Sequence, residues 1–188
     1  MKDFSILKYF KVTLRPPRAP SIKEVLWQPP PIDWMKCNTD GAYNTVKASC
    51  GGVFSNRQSE FVFAFAENLD FHSSFVAELC GVMKAIEIAN IHNWLNLWIE
   101  TDSNLAVLAF KSNSLVPWMV KNRWKNCKLL ARRMNLIITH IGNAAADSLA
   151  NLGLNTDNVL FFWEPPNCIV TSLNRNKLGL PSRRFKSY

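Results

Sequence analysis

The sequence predicts an α/β domain built on a mixed five-stranded sheet, three antiparallel strands followed by two parallel ones, with helices flanking it. Three observations carry that expectation. The chain has 188 residues and is 48% hydrophobic, enough for one domain with a proper core plus some tail. Its patterning runs strand, strand, strand, helix, strand, helix, strand, helix. Two of the strands end on an acid, Asp40 and Asp102, directly after an apolar run.

Residues 1–12 have the pattern of a short amphipathic helix, and Leu14 to Pro20, with two Arg and three Pro, read as a semi-rigid linker. A second cluster, Pro29-Pro30-Pro31, precedes the first strong strand, with Val25 to Gln28 as an extended lead-in. The expected organisation is therefore an N-terminal helix and proline-rich linker over 1–33, a folded domain over 34–155 and an irregular basic tail over 156–188. Within the domain, Met35 to Asp40 is the first strand and Ala48 to Ser55 the second. Glu60 to Ala66 is the third, its Phe61, Phe63 and Phe65 sharing one face by period two. Ser73 or Ser74 caps a helix from Phe75 to about residue 90, with an apolar stripe from Val76 to Ile88 and Glu78 in its first turn. Leu95 to Glu100 is the fourth strand, and a short helix runs from near Ser103 to Phe110. Pro117 suits the first turn of a longer basic helix over 116–133. Leu136 to Ile141 is the fifth strand, and Ala144 to Leu152 the last helix, carrying Asp147.

Composition narrows the setting. Twenty-two Lys and Arg against 14 Asp and Glu leave a net charge of +8, which favours polyanionic partners, although solubility alone also accounts for such a surface. Five cysteines form no CxxC pair and no zinc-spaced Cys/His cluster. Reduced, buried thiols point to an intracellular protein, nuclear or cytoplasmic and not secreted. No apolar stretch reaches the length of a membrane span, so no membrane partner is expected.

The acids carry the chemistry. Burying a carboxylate at a strand end costs on the order of several kcal/mol unless something cationic meets it. Two such acids imply a shared positive partner, and a divalent metal is the obvious one. Read singly, each acid has a plainer role: Glu78 and Asp147 as acids near helix starts, Asp102 as a helix cap, Asp40 before Gly41 as a turn residue.

Taken together, Asn38-Thr39-Asp40-Gly41-Ala42, Ala77-Glu78-Leu79, Glu100-Thr101-Asp102-Ser103 and His140 followed by Asn143 to Asp147-Ser148-Leu149-Ala150 resemble the motifs of type 1 ribonuclease H. More closely, they resemble the reverse-transcriptase-associated ribonuclease H domains of plant retroelement-derived proteins. The likeness extends over residues 22–182, through Trp27-Gln28-Pro29-Pro30, Val116-Pro117-Trp118 with Arg123-Trp124, and Gly179-Leu180-Pro181. It implies the ribonuclease H fold and a metal-dependent endonuclease that cuts the RNA strand of an RNA–DNA hybrid. It also implies two Mg2+ ions, which Mn2+ can replace, about 4 Å apart. By the same resemblance Asp40 bridges both ions, Glu78 and Asp102 bind one, Asp147 helps hold the other, and His140 assists proton transfer or product release, its plainer role being that of a strand-end histidine.

This chain departs from the plant pattern in one place. The Arg-Glu-containing insertion between the histidine and the asparagine is missing, so that only residues 141–146 separate His140 from Asp147. A shortened loop draws His140 toward the sheet or pulls the last helix back, and the alternative function is a retroelement-derived nucleic-acid-binding module with little or no turnover. Lys121, Arg123 and Lys125 lie on one broad side of the expected basic helix, where they either hold phosphates or form a solvated face. Asn38, Asn44 and Asn104 are candidate contacts to the backbone or to 2′-hydroxyls. Trp118 and Trp124 read as core or groove wall. A monomer is expected.

Overall fold

The structure, a computed structural model, describes residues 21–186. The helix expected over 1–12 and the linker up to Pro20 lie outside those residues. In chain order the elements are β1 (Ser21–Val25), β2 (Met35–Tyr43), β3 (Ala48–Ser55), β4 (Phe61–Leu69), α1 (Ser74–Ile91), β5 (Asn96–Thr101), α2 (Asn104–Lys111), α3 (Lys121–Ala131), β6 (Asn135–His140), α4 (Ala144–Gly153), β7 (Leu160–Phe162), α5 (Asn167–Lys177) and β8 (Ser182–Lys186). β1 and β8 pair antiparallel as a two-stranded sheet in a compact unit of its own, formed by the two ends of the chain. Leu26–Leu180 form the other unit, which holds everything else.

That larger unit is built on a six-stranded sheet of order β6-β5-β2-β3-β4-β7. β2, β3, β4 and β7 pair antiparallel in succession, and β5 and β6 run parallel to β2. The expected three antiparallel and two parallel strands are all present, and β7 adds a sixth at the β4 edge. β3 is buried along its whole length because helices cover both faces of the sheet there. Alternation along the strands sorts the core. Cys50, Phe54, Phe63 and Phe65 face α1, while Val53 and Ala64 face α4 and α5, where Leu149, Ile169 and Leu173 meet them.

Both helix layers sit closer to the sheet than ordinary side chains permit. A Cβ on Gly41 would lie 2.5 Å from the Glu78 nitrogen and 2.8 Å from the Ala77 carbonyl carbon, and one on Gly51 would strike the backbone of Ala150 and Leu149. The glycines therefore let α1 pack backbone to backbone on β2, and α4 on β3.

Four local expectations change. A bulge opposite Phe54 and Ser55 shifts the register, so Phe61 pairs with Ser55 and packs on the α4 side, away from Phe63 and Phe65. α1 begins at Ser74, with the Ser73 hydroxyl accepting from the Val76 N–H, which puts Glu78 in the second turn. The basic helix does not start at Val116. Val116 and Pro117 are extended, short 3-10 turns occupy Asn113–Leu115 and Trp118–Val120, and α3 starts only at Lys121. Proline disfavours helix in the residue before it, and here that preference wins. Trp124 is buried, but Trp118 is 83% exposed and is not core.

The tail is also not irregular over its whole length. β7 pairs with β4 from Ala64 to Ala66, and α5 places Ile169, fully buried, against the second core. Three residues are too few to show strand periodicity, and Pro165-Pro166 stand just ahead of α5, where a missing N–H costs nothing. No helix among the described residues is long and apolar enough to cross a membrane. All five cysteines are free, and all but Cys168 are buried.

Ile169→Ala should cost about 2–5 kcal/mol, the usual penalty for a fully buried isoleucine. Urea unfolding measures it, and a loss within experimental error would mean that α5 does not belong to the core.

Candidate metal centre and nucleic-acid interface

The pairing of β2 with β5 ends at Thr39 and Thr101, one residue short of Asp40 and Asp102. The two aspartates thus stand side by side where the strands part. The close approach of α1 at Gly41 brings Glu78 to the same place. Oxygens of Asp40, Glu78 and Asp102 all lie within 4.8 Å of one another. Asp40 and Glu78 are buried and Asp102 is exposed. Asp40 sits inside β2 and is no turn residue, and the cap of α2 is Ser103, whose hydroxyl accepts from the Ala106 N–H, so Asp102 is not a cap.

Few hydrogen bonds offset the mutual repulsion. The Gly41 N–H donates to Asp40 Oδ1 at 2.9 Å, and the Thr101 hydroxyl donates to Glu78 Oε2 at 3.3 Å. No ion pair among the described residues joins any of the three to a cationic side chain. Burial first, and then the charge and hydrogen bond of Asp102, push the Asp40 carboxyl up to about 7, against the pull of the Gly41 N–H, with the Asp147 charge adding least. Burial, Asp102 and Asp40 push Glu78 up to about 9. A cluster of oxygen donors that cannot all ionise without added positive charge suits a hard divalent cation.

Asp147 stands outside the group of three. It lies in the first turn of α4, which Asn143 caps by accepting from the Ala145 and Ala146 N–H groups. Its carboxylate is exposed and accepts from Asn151 Nδ2 at 3.1 Å, yet it is near enough to Asp40 to raise its pKa. Ile141, Gly142 and Asn143 alone link β6 to α4. His140 is the last residue of β6, exposed, with Nε2 donating to the Asp102 carbonyl at 2.6 Å. The short link thus holds this histidine beside the strand end that carries Asp102.

The expected nucleic-acid contacts separate into two kinds. Asn38 is 1% exposed; its amide donates to Glu100 Oε2 at 2.7 Å and its carbonyl accepts from the Trp27 indole at 2.9 Å, so it is buried against protein partners and not presented to a ligand. Arg123 is likewise committed, with two hydrogen bonds of 2.8 Å to Glu87 and a 3.8 Å ion pair with Glu67. Lys121 and Lys125 are exposed and line a groove of about 470 Å³ with Lys128, Arg132, Trp124 and Leu129. Asn104 is exposed at the start of α2, and Asn44 is exposed with its carbonyl accepting from the Val46 and Lys47 N–H groups.

Sequence reasoning missed Thr101, which holds Glu78, and the pair Lys36 and Glu100 beneath the aspartates. A signal was present. Lys36, Asn38 and Asp40 on one strand, and Glu100 and Asp102 on the other, repeat polar groups at period two inside apolar runs.

A family model described as reverse transcriptase-like matches residues 38–153, a span that includes all four acids. No curated protein matches the chain. The ribonuclease H1 of the halophilic archaeon Halobacterium salinarum NRC-1 is similar with a TM-score of 0.55 and 21% identity, over 64% of this chain and 97% of that one. LC11-RNase H1 in complex with an RNA/DNA hybrid is similar with a TM-score of 0.56 and 20% identity, over 64% and 96%. A foamy viral protease-reverse transcriptase, also in complex with an RNA/DNA hybrid, is similar with a TM-score of 0.55 and 21% identity, over 80% of this chain and 26% of that one. The fold is therefore that of ribonuclease H.

A pH dependence follows from the raised carboxyls. An unfolded chain loses these protons near pH 4, whereas the folded one keeps them to about 7 at Asp40 and about 9 at Glu78. Folding takes up protons between those limits, so metal-free stability falls as pH rises from 4 to 9. Asp40→Asn should flatten that fall and raise the melting temperature of the metal-free protein at pH 8. Thermal melts from pH 5 to 9 in a chelator test this, and parallel curves for the two proteins would refute it.

Proposed function

The chain belongs to the reverse transcriptase-like family, and we propose that it is a divalent-metal-dependent endonuclease that hydrolyses the RNA strand of RNA–DNA hybrids. One observation carries the proposal: three carboxylates gathered within 4.8 Å with no ion pair to a described cationic side chain. Asp40, Glu78 and Asp102 would hold Mg2+, or Mn2+ in its place, and Asp147 would serve a second ion. Such ions, when bound, supply the charge that activates a water and stabilises the leaving 3′ oxygen. The chain's own groups do the rest. Asp40 and Glu78 release their protons as ligands, and the Thr101 hydroxyl keeps Glu78 turned toward Asp102. His140, held through Nε2, keeps Nδ1 for moving a proton beside Asp102.

The hybrid would lie across the carboxylates, with Lys121 and Lys125 on its phosphates and Asn44 and Asn104 on its sugars. That two structural neighbours hold an RNA/DNA hybrid supports this substrate class. The same reading takes the chain, from its motif and flanking strings, to be a plant retroelement-derived domain acting as a monomer, and its unpaired cysteines support an intracellular setting. One observation favours the competing reading, a binding module without turnover: Asp147 is outside the group of three and is bonded to Asn151.

Cleavage of an end-labelled hybrid in Mg2+ or Mn2+ decides between them. The native chain should cut the RNA strand, and Asp40→Asn should cut at background while binding the hybrid as well or better, because a ligand and a charge that repels phosphate are both gone. Binding without metal-dependent cutting by the native chain would establish the module instead. Replacing Lys121 and Lys125 with Gln should lower the slope of log affinity against log salt by up to about 2, at about 0.9 per phosphate contact. An unchanged slope would show that this face is plain solvated surface.

A further inference from the structure

We propose that Glu100, Lys36 and Asn38 are positioning residues of the carboxylate site, a buried assembly that sets the spacing of Asp40 and Asp102 and through it the affinity for a divalent cation. The inference rests on the metal-binding reading above.

Lys36, Asn38 and Asp40 follow one another at period two on one face of β2. Their parallel neighbours across the register are Trp98 and Glu100, with Asp102 next in step. Below the aspartates, therefore, lies a second acid, and it is fully engaged. Glu100 Oε1 pairs with Lys36 Nζ at 2.8 Å, and Glu100 Oε2 accepts from the Asn38 amide at 2.7 Å. Lys36 is 0% and Glu100 2% exposed, and no other ion pair among the described residues is buried at both ends. Lys36 Nζ also donates to the Gln28 carbonyl at 2.6 Å and lies 3.9 Å and 4.7 Å from the ring centres of Trp98 and Trp27. The Trp27 indole completes the set by donating to Asn38 Oδ1.

Such an assembly is a poor source of stability. Two charges taken out of water recover little beyond what an apolar pair of the same shape would supply. What it provides is geometry. Both oxygens of Glu100, two residues before Asp102, are used by β2, through Asn38 two residues and Lys36 four residues before Asp40, so the strands cannot slide or spread there without breaking a buried charged contact. The rest of the β5 terminus is tied in the same manner, with the Thr101 hydroxyl on Glu78 and the Asp102 carbonyl receiving His140 Nε2. Three successive residues, the last two of β5 and Asp102 just beyond it, thus fix β2, α1 and β6 around the site.

Glu100→Gln tests the idea, because an amide can accept from Lys36 or from Asn38 but turns a donor toward the other. Calorimetric titration of the metal-free proteins with Mn2+, well below each melting temperature, should show about tenfold weaker binding in Glu100→Gln, the scale of losing an outer partner of a metal ligand. Lys36→Met combined with Glu100→Gln removes the charge pair but keeps the Asn38 hydrogen bond, and should recover most of that affinity. If Glu100→Gln does not fold, Trp27→Phe, which loses only the indole donor to Asn38, should weaken Mn2+ binding in its place. Equal Mn2+ affinity in the native chain and these variants, with only the melting temperatures moving, would overturn the positioning role and leave the metal site standing. A folded native chain that binds no Mn2+ would overturn the metal reading itself.

Discussion

Electrostatic repulsion among three carboxylates, two of them buried, is the constraint that the rest of the structure answers to. Left to itself, such a cluster would spread apart or draw in water. The chain prevents this by mounting each acid on a different rigid element and closing those elements on one another. β2 and β5 share a ladder up to the residue before the aspartates, and α1 is pressed against β2 where Gly41 leaves no side chain in the way. Asp40 and Glu78 then relieve the repulsion by holding protons more tightly than free carboxyls do, a state consistent with a site for a divalent cation.

The packing beyond the site serves the same end. α1 is buried on nearly every side, with Leu79, Met83 and Ile86 in the core, so the backbone that carries Glu78 moves only with the whole helix. α3 is fastened to α1 and β4 by Arg123, which reaches Glu87 and Glu67, while Lys84 pairs with the same Glu67. The basic helix is therefore docked by its arginine and displays its lysines. Arg123 attaches the helix to the fold, Lys121 and Lys125 are left exposed, and no ion pair among the described residues joins the helix to the carboxylate cluster.

The short link between β6 and α4 shapes the remaining part of the site. It leaves His140 at the strand end with its ring bonded to the Asp102 carbonyl, and it brings α4 down with Asp147 on its exposed side. Gly51 lets α4 sit directly on β3, so the position of Asp147 is set by core packing and not by the link alone. Asp147 acts on Asp40 through its charge while its own carboxylate is steadied by Asn151.

The sequence by itself determined the order of the central elements, a serine cap at Ser73 or Ser74, and the four acids with their contexts. These are local signals, readable from spacings of two to four residues. The structure chose Ser73 and gave the cap after β5 to Ser103 and not to Asp102. Tertiary structure alone decided which three acids meet, that Asn38 and Arg123 are occupied, that Phe61 leaves the face of Phe63, and that β7 and α5 belong to the fold. Each of these depends on partners far away in the chain: Asn38 and Glu100 are 62 residues apart, and Arg123 and Glu87 are 36. Period two announces that a polar residue shares a strand face with an acid, but only the register of two strands brought together says whether that residue meets water, a ligand or a buried carboxylate.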